Sequence, residues 1–310
     1  MPGRTALPDR FLHAPFTRAQ LAEAGISDRI VEGRRFRRLL PAVWVATDHA
    51  VTRDDLILAA RLALPERAQM SHATRIEALG YPGALPGPLH FTVAGDLHLA
   101  VPGVVLHRTE VLPPCDDIGV TPAAAFVQMC AQHPVRRLVQ VGDWLLRHEH
   151  ASTSEIRETA LLHRWRPGAV GALRVVPWLN DNSWALGESE VRILLRAAGL
   201  PEPEMNVRLY DGESFLGVTD LWLERWRLAL EVEGEQHFVD PGQIERDVHR
   251  YASFRQAGIH YLQITKTMRR QPVALVHAVD RELRRVGYDG PAVSFGDRWR
   301  SLWQPPSARR

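Results

Sequence analysis

Residues 217–237 read GVTDLWLERWRLALEVEGEQH, and this stretch decides the fold. Two short apolar runs, 218–223 and 227–232, stop before Gly234 and have the length and alternation of neighbouring strands of a hairpin. Twofold alternation puts Leu228, Leu230 and Val232 on a core face and Glu231 and Glu233 on the other, with Asp220 able to meet them from the adjacent strand. Acids also line ordinary wet strand faces. Here, however, no basic residue lies between Glu231 and His237. Like charges on one sheet face are destabilising unless protons or a cation offset them. Carboxylate oxygens suit a hard ion such as Mg²⁺ (or Mn²⁺), which binds through one or two carboxylates, keeps several waters and accepts phosphate oxygens from a substrate.

Around this hairpin the features run in a fixed order: GESEVRILLRAAGLPEP (187–203), Asp220, EVEGEQH (231–237), ERDVHRYASFRQAG (245–258) and IHYLQIT (259–265). In that order and spacing the segment 183–287 resembles the restriction-endonuclease-like domain of unknown function related to the very-short-patch-repair (Vsr) endonucleases, within the PD-(D/E)XK superfamily. The resemblance implies an α/β domain with a central mixed sheet and Mg²⁺-dependent hydrolysis of DNA phosphodiester bonds. Carried over position by position, Asp220 is the metal-binding aspartate, Glu231 the second acidic ligand and Glu190 the acid on the leading helix. His237 would stand beside the metal-bound water as a proton carrier or phosphate contact. Asp247 would support the site, and Arg250, on the same helix, would touch the DNA backbone. Glu188 reads as an acid favoured by the positive end of its helix.

One position departs from the wider superfamily. Two residues after the second acid, where lysine is usual, stands Glu233, and the chain has a single lysine, Lys266. Water activation would then fall to the metal with His237, or to Lys266 reaching in from the neighbouring strand. The departure also leaves open a domain that binds without cutting.

The first module spans 1–50. Thr17 caps a helix RAQLAEAG, Ser27 caps a second short helix DRIVEG, and RRFRRLLPAVWVAT follows as a hairpin. Helix, turn, helix, hairpin is the order of a winged helix, and the segment resembles the N-terminal winged-helix region of AbiEi-type antitoxins and related regulators. Arg29, Arg34, Arg35, Arg37 and Arg38 are the densest basic cluster in the chain. In such a motif Arg29 approaches bases or phosphates of double-stranded DNA and the other four engage phosphates. A solvated basic turn, or a protein-binding face, is the plainer reading of such a run.

Residues 51–180 read as a mixed α/β middle region, similar to that of the same antitoxin-like proteins. TRDDLILAARLAL and SHATRIEALG are helices, apolar runs at 89–93, 97–101 and 104–107 are short strands, and TPAAAFVQMCAQ, VRRLVQVGDWLLRH and STSEIRETALLH return to helical periodicity. His72, His90, His98 and His107 are scattered here at spacings that match no ligand motif, and receive no chemistry. Residues 181–290 are the nuclease-like domain and 291–310 a tail rich in Arg, Pro and Trp.

Composition sets outer bounds. With 310 residues, 45% of them hydrophobic and 24% charged, the chain has enough material for two or three globular domains. A net charge of +2 is too small for the whole-protein field to argue nucleic-acid binding, so local clusters must. Two cysteines without ligand spacing suggest a reducing, cytoplasmic setting, and no run has the length of a signal peptide core or membrane span. No Gly-rich phosphate loop points to a nucleotide cofactor. The fold expected is α/β, or α+β overall. The function expected is a metal-dependent DNA endonuclease or nickase. The alternative is a catalytically silent regulator of the antitoxin type, whose C-terminal domain binds a protein partner such as a toxin or a second copy of the chain.

Overall fold

A computed structural model describes residues 7–234 and 250–306. The fold is mixed α/β and divides into two compact units, 1–125 and 126–310. No helix among the described residues is long and apolar enough to cross a membrane.

The first unit opens with α1 (Arg10–His13), β1 (Phe16–Thr17) and α2 (Arg18–Glu23). Thr17 and Gln20 form a reciprocal capping box on α2, as the sequence suggests. The second helix is a single 3-10 turn, Asp28–Glu32, in which Ser27 makes no side-chain cap. The hairpin is β2 (Phe36–Leu40) with β3 (Val43–Ala46), and β1 joins β3 to give a three-stranded sheet. Phe11, Phe16, Leu21, Val31 and Phe36 close a small core beneath it.

The hairpin also packs onto residues that follow it. Leu40 and Val43 share a core with Ile57 and Ala60 of α3 (Arg53–Ala63) and with Leu89 and Phe91. After α3 come β4 (Gln69–Met70), α4 (His72–Glu77), β5 (Leu89–Ala94) and β6 (Val104–Thr109), with β4 antiparallel and β6 parallel to β5. The apolar run 97–101 is not a strand. Parallel strands need a crossover, and this segment is spent on carrying the chain back to the start of β6.

In α5 (Pro122–Met129) the chain passes into the second unit. The helices α6 (Val135–Arg147), α7 (Thr153–Leu162) and α8 (Ala169–Val175) share their unit with α9 (Leu186–Ala198). Asp143 of α6 and Arg192 of α9, both almost fully buried, meet at 3.1 Å. Arg192 also donates to Glu202 and to the Trp178 carbonyl, and the second Asp143 oxygen accepts from Asn180 N.

Beyond α9, β7 (Glu204–Asp211), β8 (Ser214–Leu223) and β9 (Leu228–Val232) form an antiparallel meander. Helical residues 250–256 (α10) then lead to β10 (His260–Ile264), which lies parallel to β9 in the order β10-β9-β8-β7. This is the mixed sheet expected for 181–290. The helices α11 (Lys266–Arg269) and α12 (Pro272–Arg285) follow. Residues 291–306 are docked rather than trailing: α13 (Asp297–Arg300) buries Trp299, Leu302 is fully buried, and Gln304 O accepts from Val135 N at 3.1 Å.

Removing one partner of a buried ion pair strands the other charge, which costs about 3–5 kcal/mol. Arg192→Met should therefore lower the urea midpoint sharply at unchanged slope, and Arg192→Met combined with Asp143→Leu should recover part of the loss.

Candidate active site

The hairpin delivers the acids much as its alternation suggests. Pairing of β8 with β9 runs Leu223↔Leu228, Trp222↔Ala229 and Leu221↔Leu230. One step further, Asp220 stands abreast of Glu231, and the ladder gives way to a side chain: Asp220 Oδ2 accepts from Val232 N at 2.7 Å. On the other side of β8, Met205↔Leu221 and Val207↔Thr219 bracket Asn206 opposite Asp220. Asn206 has φ 51°, a left-handed conformation that asparagine tolerates better than most residues. Its Nδ2 donates to Glu188 Oε2 at 2.8 Å and to the Asn182 carbonyl at 2.6 Å.

The helix acid of this cluster is thus Glu188, whose same oxygen also accepts from Trp184 N at 2.8 Å. Glu190 is turned away. It meets Arg136 at 3.1 Å and Arg269 at 3.8 Å and lines a separate cleft with Lys266 and Arg270. Periodicity explains the exchange. Glu188 lies four residues before the buried Arg192 and so on its side of α9, whereas Glu190 is about 200° around the helix from Glu188.

Electrostatics bind the three acids into one system. Burial pushes the Glu188 carboxyl up to about 7, with the negative charge of Asp220 adding to the rise against hydrogen bonds from Asn206 and Trp184. Burial likewise pushes Glu231 up to about 7, with Asp220 again adding to it against Arg250 and Thr219. Asp220 itself is raised by burial, less the pull of the Val232 amide and Arg250. Arg250 of α10 meets Glu231 Oε2 at 2.9 Å. Two buried oxygens, Glu231 Oε1 and Asn206 Oδ1, have no well-formed hydrogen bond. Raised carboxylates with orphaned oxygens are what a hard cation relieves, and Mg²⁺ needs only one or two carboxylates from the protein. Asp220 and Glu231 fit that requirement. The acids do not close further: among the described residues, three ligand atoms mutually within 4.8 Å occur only at His72, His90 and His107.

The other expected site residues fall variously. Glu233 lies past the end of β9, exposed, with Oε2 accepting from Lys266 N at 3.0 Å; it serves the start of α11 and does not join Asp220 and Glu231. Lys266 lines the cationic cleft with Arg136, Arg269 and Arg270. Arg269 of that cleft packs close to Gly187, the residue before Glu188: a side chain there would meet Arg269 Nη1 at 2.7 Å and Val232 Cγ1 at 3.1 Å. His237 and Asp247 lie outside the described residues. In the first unit Arg29, Arg34, Arg35, Arg37 and Arg38 are all exposed.

The raised carboxyls fix a pH dependence. In the unfolded chain a glutamate loses its proton near 4.5, whereas Glu188 and Glu231 hold theirs to about 7. Between these values the folded protein binds more protons, so stability falls as pH rises. In thermal melts of chelator-treated protein, Tm should decline across this window, and Glu188→Gln should flatten the decline. An unchanged slope in Glu188→Gln would place its titration outside the site.

No protein-family model matches the chain. It is similar to the uncharacterized proteins MT2308 and Rv2248 of Mycobacterium tuberculosis, with 28% identity over 264 residues in each case, covering 81% of this chain and 95% of each relative. The likeness extends over nearly the whole length of those proteins and so takes in both structural units.

Proposed function

We propose that the chain is a DNA-binding protein whose second unit is a Mg²⁺-dependent endonuclease or nickase. The observation that carries this reading is the cluster of Glu188, Asp220 and Glu231 at the end of a mixed sheet, raised by burial and mutual repulsion, with orphaned oxygens, beside a cleft lined by Arg136, Lys266, Arg269 and Arg270. A bound Mg²⁺ (or Mn²⁺) would supply charge neutralisation at the scissile phosphate and a water of lowered pKa. Asp220 and Glu231 would hold it. Glu188, near neutral in pKa, would accept a proton close to the site, and the cleft cations would hold the flanking phosphates. In the first unit the exposed arginines of the 3-10 turn and hairpin would bind duplex phosphates in the manner of a winged helix.

A second reading has its own observation. Arg250 already neutralises Glu231, and Glu233 occupies the usual lysine position while serving α11. Both suit a silent domain in a DNA-binding regulator of the antitoxin type, with a protein as its partner.

The readings separate in one assay: nicking or cleavage of supercoiled plasmid and short duplexes with Mg²⁺ or Mn²⁺, for wild type, Asp220→Asn and Glu231→Gln. Cleavage reduced at least about 100-fold in both variants, with DNA affinity intact, is the expected result. Metal-independent binding without cleavage by any form would favour the regulator. Replacing Arg34, Arg35, Arg37 and Arg38 together by Ala should weaken duplex binding and flatten its salt dependence by about four contacts' worth; unchanged affinity would remove the hairpin from the interface.

A further inference from the structure

The three histidines to which sequence spacing gives no role come together in the first unit. We infer that His72, His90 and His107 form a binding site for a borderline divalent cation, Zn²⁺ foremost, separate in residues and in donor chemistry from the acid cluster.

The geometry follows from the second sheet. In the parallel pair β5·β6, His90 is partnered with Val105 and Thr92 with His107, which makes His90 and His107 diagonal neighbours. His90 Nδ1 and His107 Nε2 lie 2.9 Å apart. His72, the first residue of α4, brings a third ring, its centroid 4.0 Å from that of His107 and 5.2 Å from that of His90. One ring nitrogen of each histidine lies within 4.8 Å of the other two. Zn–N bonds of about 2.0–2.1 Å in a tetrahedral site place nitrogens about 3.4 Å apart; the rings are stacked at interplanar angles of 18–28°, so binding requires them to fan out until their in-plane lone pairs converge.

Three further observations point the same way. His72 is buried and held at φ 51°, a conformation that non-glycine residues adopt rarely and mostly where the surroundings demand it. The ligand frame is tied by short bonds: Ser71 N to His90 O at 3.0 Å, His90 N to Thr74 Oγ1 at 2.7 Å, and Ser71 Oγ at 3.0 Å from His72 Nδ1. A hydroxyl at Nδ1 is the kind of outer contact that fixes which nitrogen a metal takes, here offering Nε2. Finally, His90 and His107 are only partly buried, which leaves the cluster open to an ion from solvent.

The donor set selects the cation. Neutral imidazoles suit Zn²⁺, Cu²⁺, Ni²⁺ or Fe²⁺ and not Mg²⁺. Three protein ligands leave a fourth position to water, so the ion would be exchangeable rather than sealed in.

The test uses full-length protein without a histidine tag, stripped with chelator and reloaded with Zn²⁺. Elemental analysis after gel filtration and competition against a chromophoric chelator read stoichiometry and affinity, and Co²⁺ substitution reads coordination from visible absorption. Wild type and Asp220→Asn are both expected to retain one equivalent. His107→Ala and the milder His107→Gln should lose it, with affinity down at least about 100-fold and no Zn²⁺-dependent rise in Tm. Ser71→Ala should weaken it about tenfold or more. Far-UV circular dichroism checks that the variants are folded. Equal Zn²⁺ retention by wild type and His107→Gln, or no retained equivalent in wild type, would overturn the assignment and leave a hydrogen-bonded imidazole stack. Loss in Asp220→Asn alone would move the metal to the acid site.

Discussion

The second unit depends on the buried contact between Asp143 and Arg192. One guanidinium reaches Asp143 on α6, the Trp178 carbonyl after α8 and Glu202 after α9, and so fixes both the rotation and the depth of α9. Such pairs add little net stability, since desolvation offsets most of the Coulombic gain, but breaking one is costly and only one arrangement satisfies it. With α9 held by Arg192, the residue one turn earlier is committed to the same side. That residue is Glu188. The orientation of a helix set inside the core therefore decides which of two nearby glutamates faces Asn206 and Asp220.

At the site itself the sheet forgoes a regular ladder to gather charge. Asp220 takes the Val232 amide that a strand carbonyl would otherwise hold, and Asn206 adopts a left-handed backbone to face Glu188. Neither is a choice that sheet stability would favour, and the acids that result repel one another in a partly dry environment. Protons, the Arg250 guanidinium and a hard cation are alternative ways of relieving that repulsion. The first two are visible in the pKa shifts of Glu188 and Glu231 and in the 2.9 Å pair. Arg250 engages one Glu231 oxygen and leaves Oε1 unsatisfied, so an arginine and a metal need not exclude each other.

Elements governed by local rules were legible in the sequence. The capped helix α2 begins where Thr17 places it, and the β8·β9 hairpin brings Asp220 level with Glu231 as twofold alternation requires. What depends on packing was not. Read from sequence, the helix-acid role falls to Glu190 and only a helix-end role to Glu188, whereas the packing of Arg192 puts Glu188 beside Asn206 and Asp220. Glu233 follows alternation in the sequence, but β9 stops at Val232, and the acid turns to the first amide of α11. Contacts across residues 50 and 180 have a similar origin: Leu40 and Val43 pack with α3 and β5, and α6 is joined to α9. The histidines are the extreme case, because a parallel register and the entry into α4, neither readable as a motif, are what unite residues 17 or 18 positions apart.

Donor chemistry separates the two proposed metal sites more firmly than distance would. Asp220 and Glu231 offer carboxylate oxygens, which would hold Mg²⁺ or Mn²⁺ with waters completing the shell. His72, His90 and His107 offer neutral nitrogens, for which Mg²⁺ has no appetite and Zn²⁺ a strong one. The two occupancies therefore respond to different ions and different units of the fold. Under these two proposals chelation would empty both sites, and Mg²⁺ returned alone would refill only the acids. Any loss of function that Mg²⁺ fails to restore and Zn²⁺ does restore would then trace to the imidazoles of the first unit, not to the carboxylates of the second.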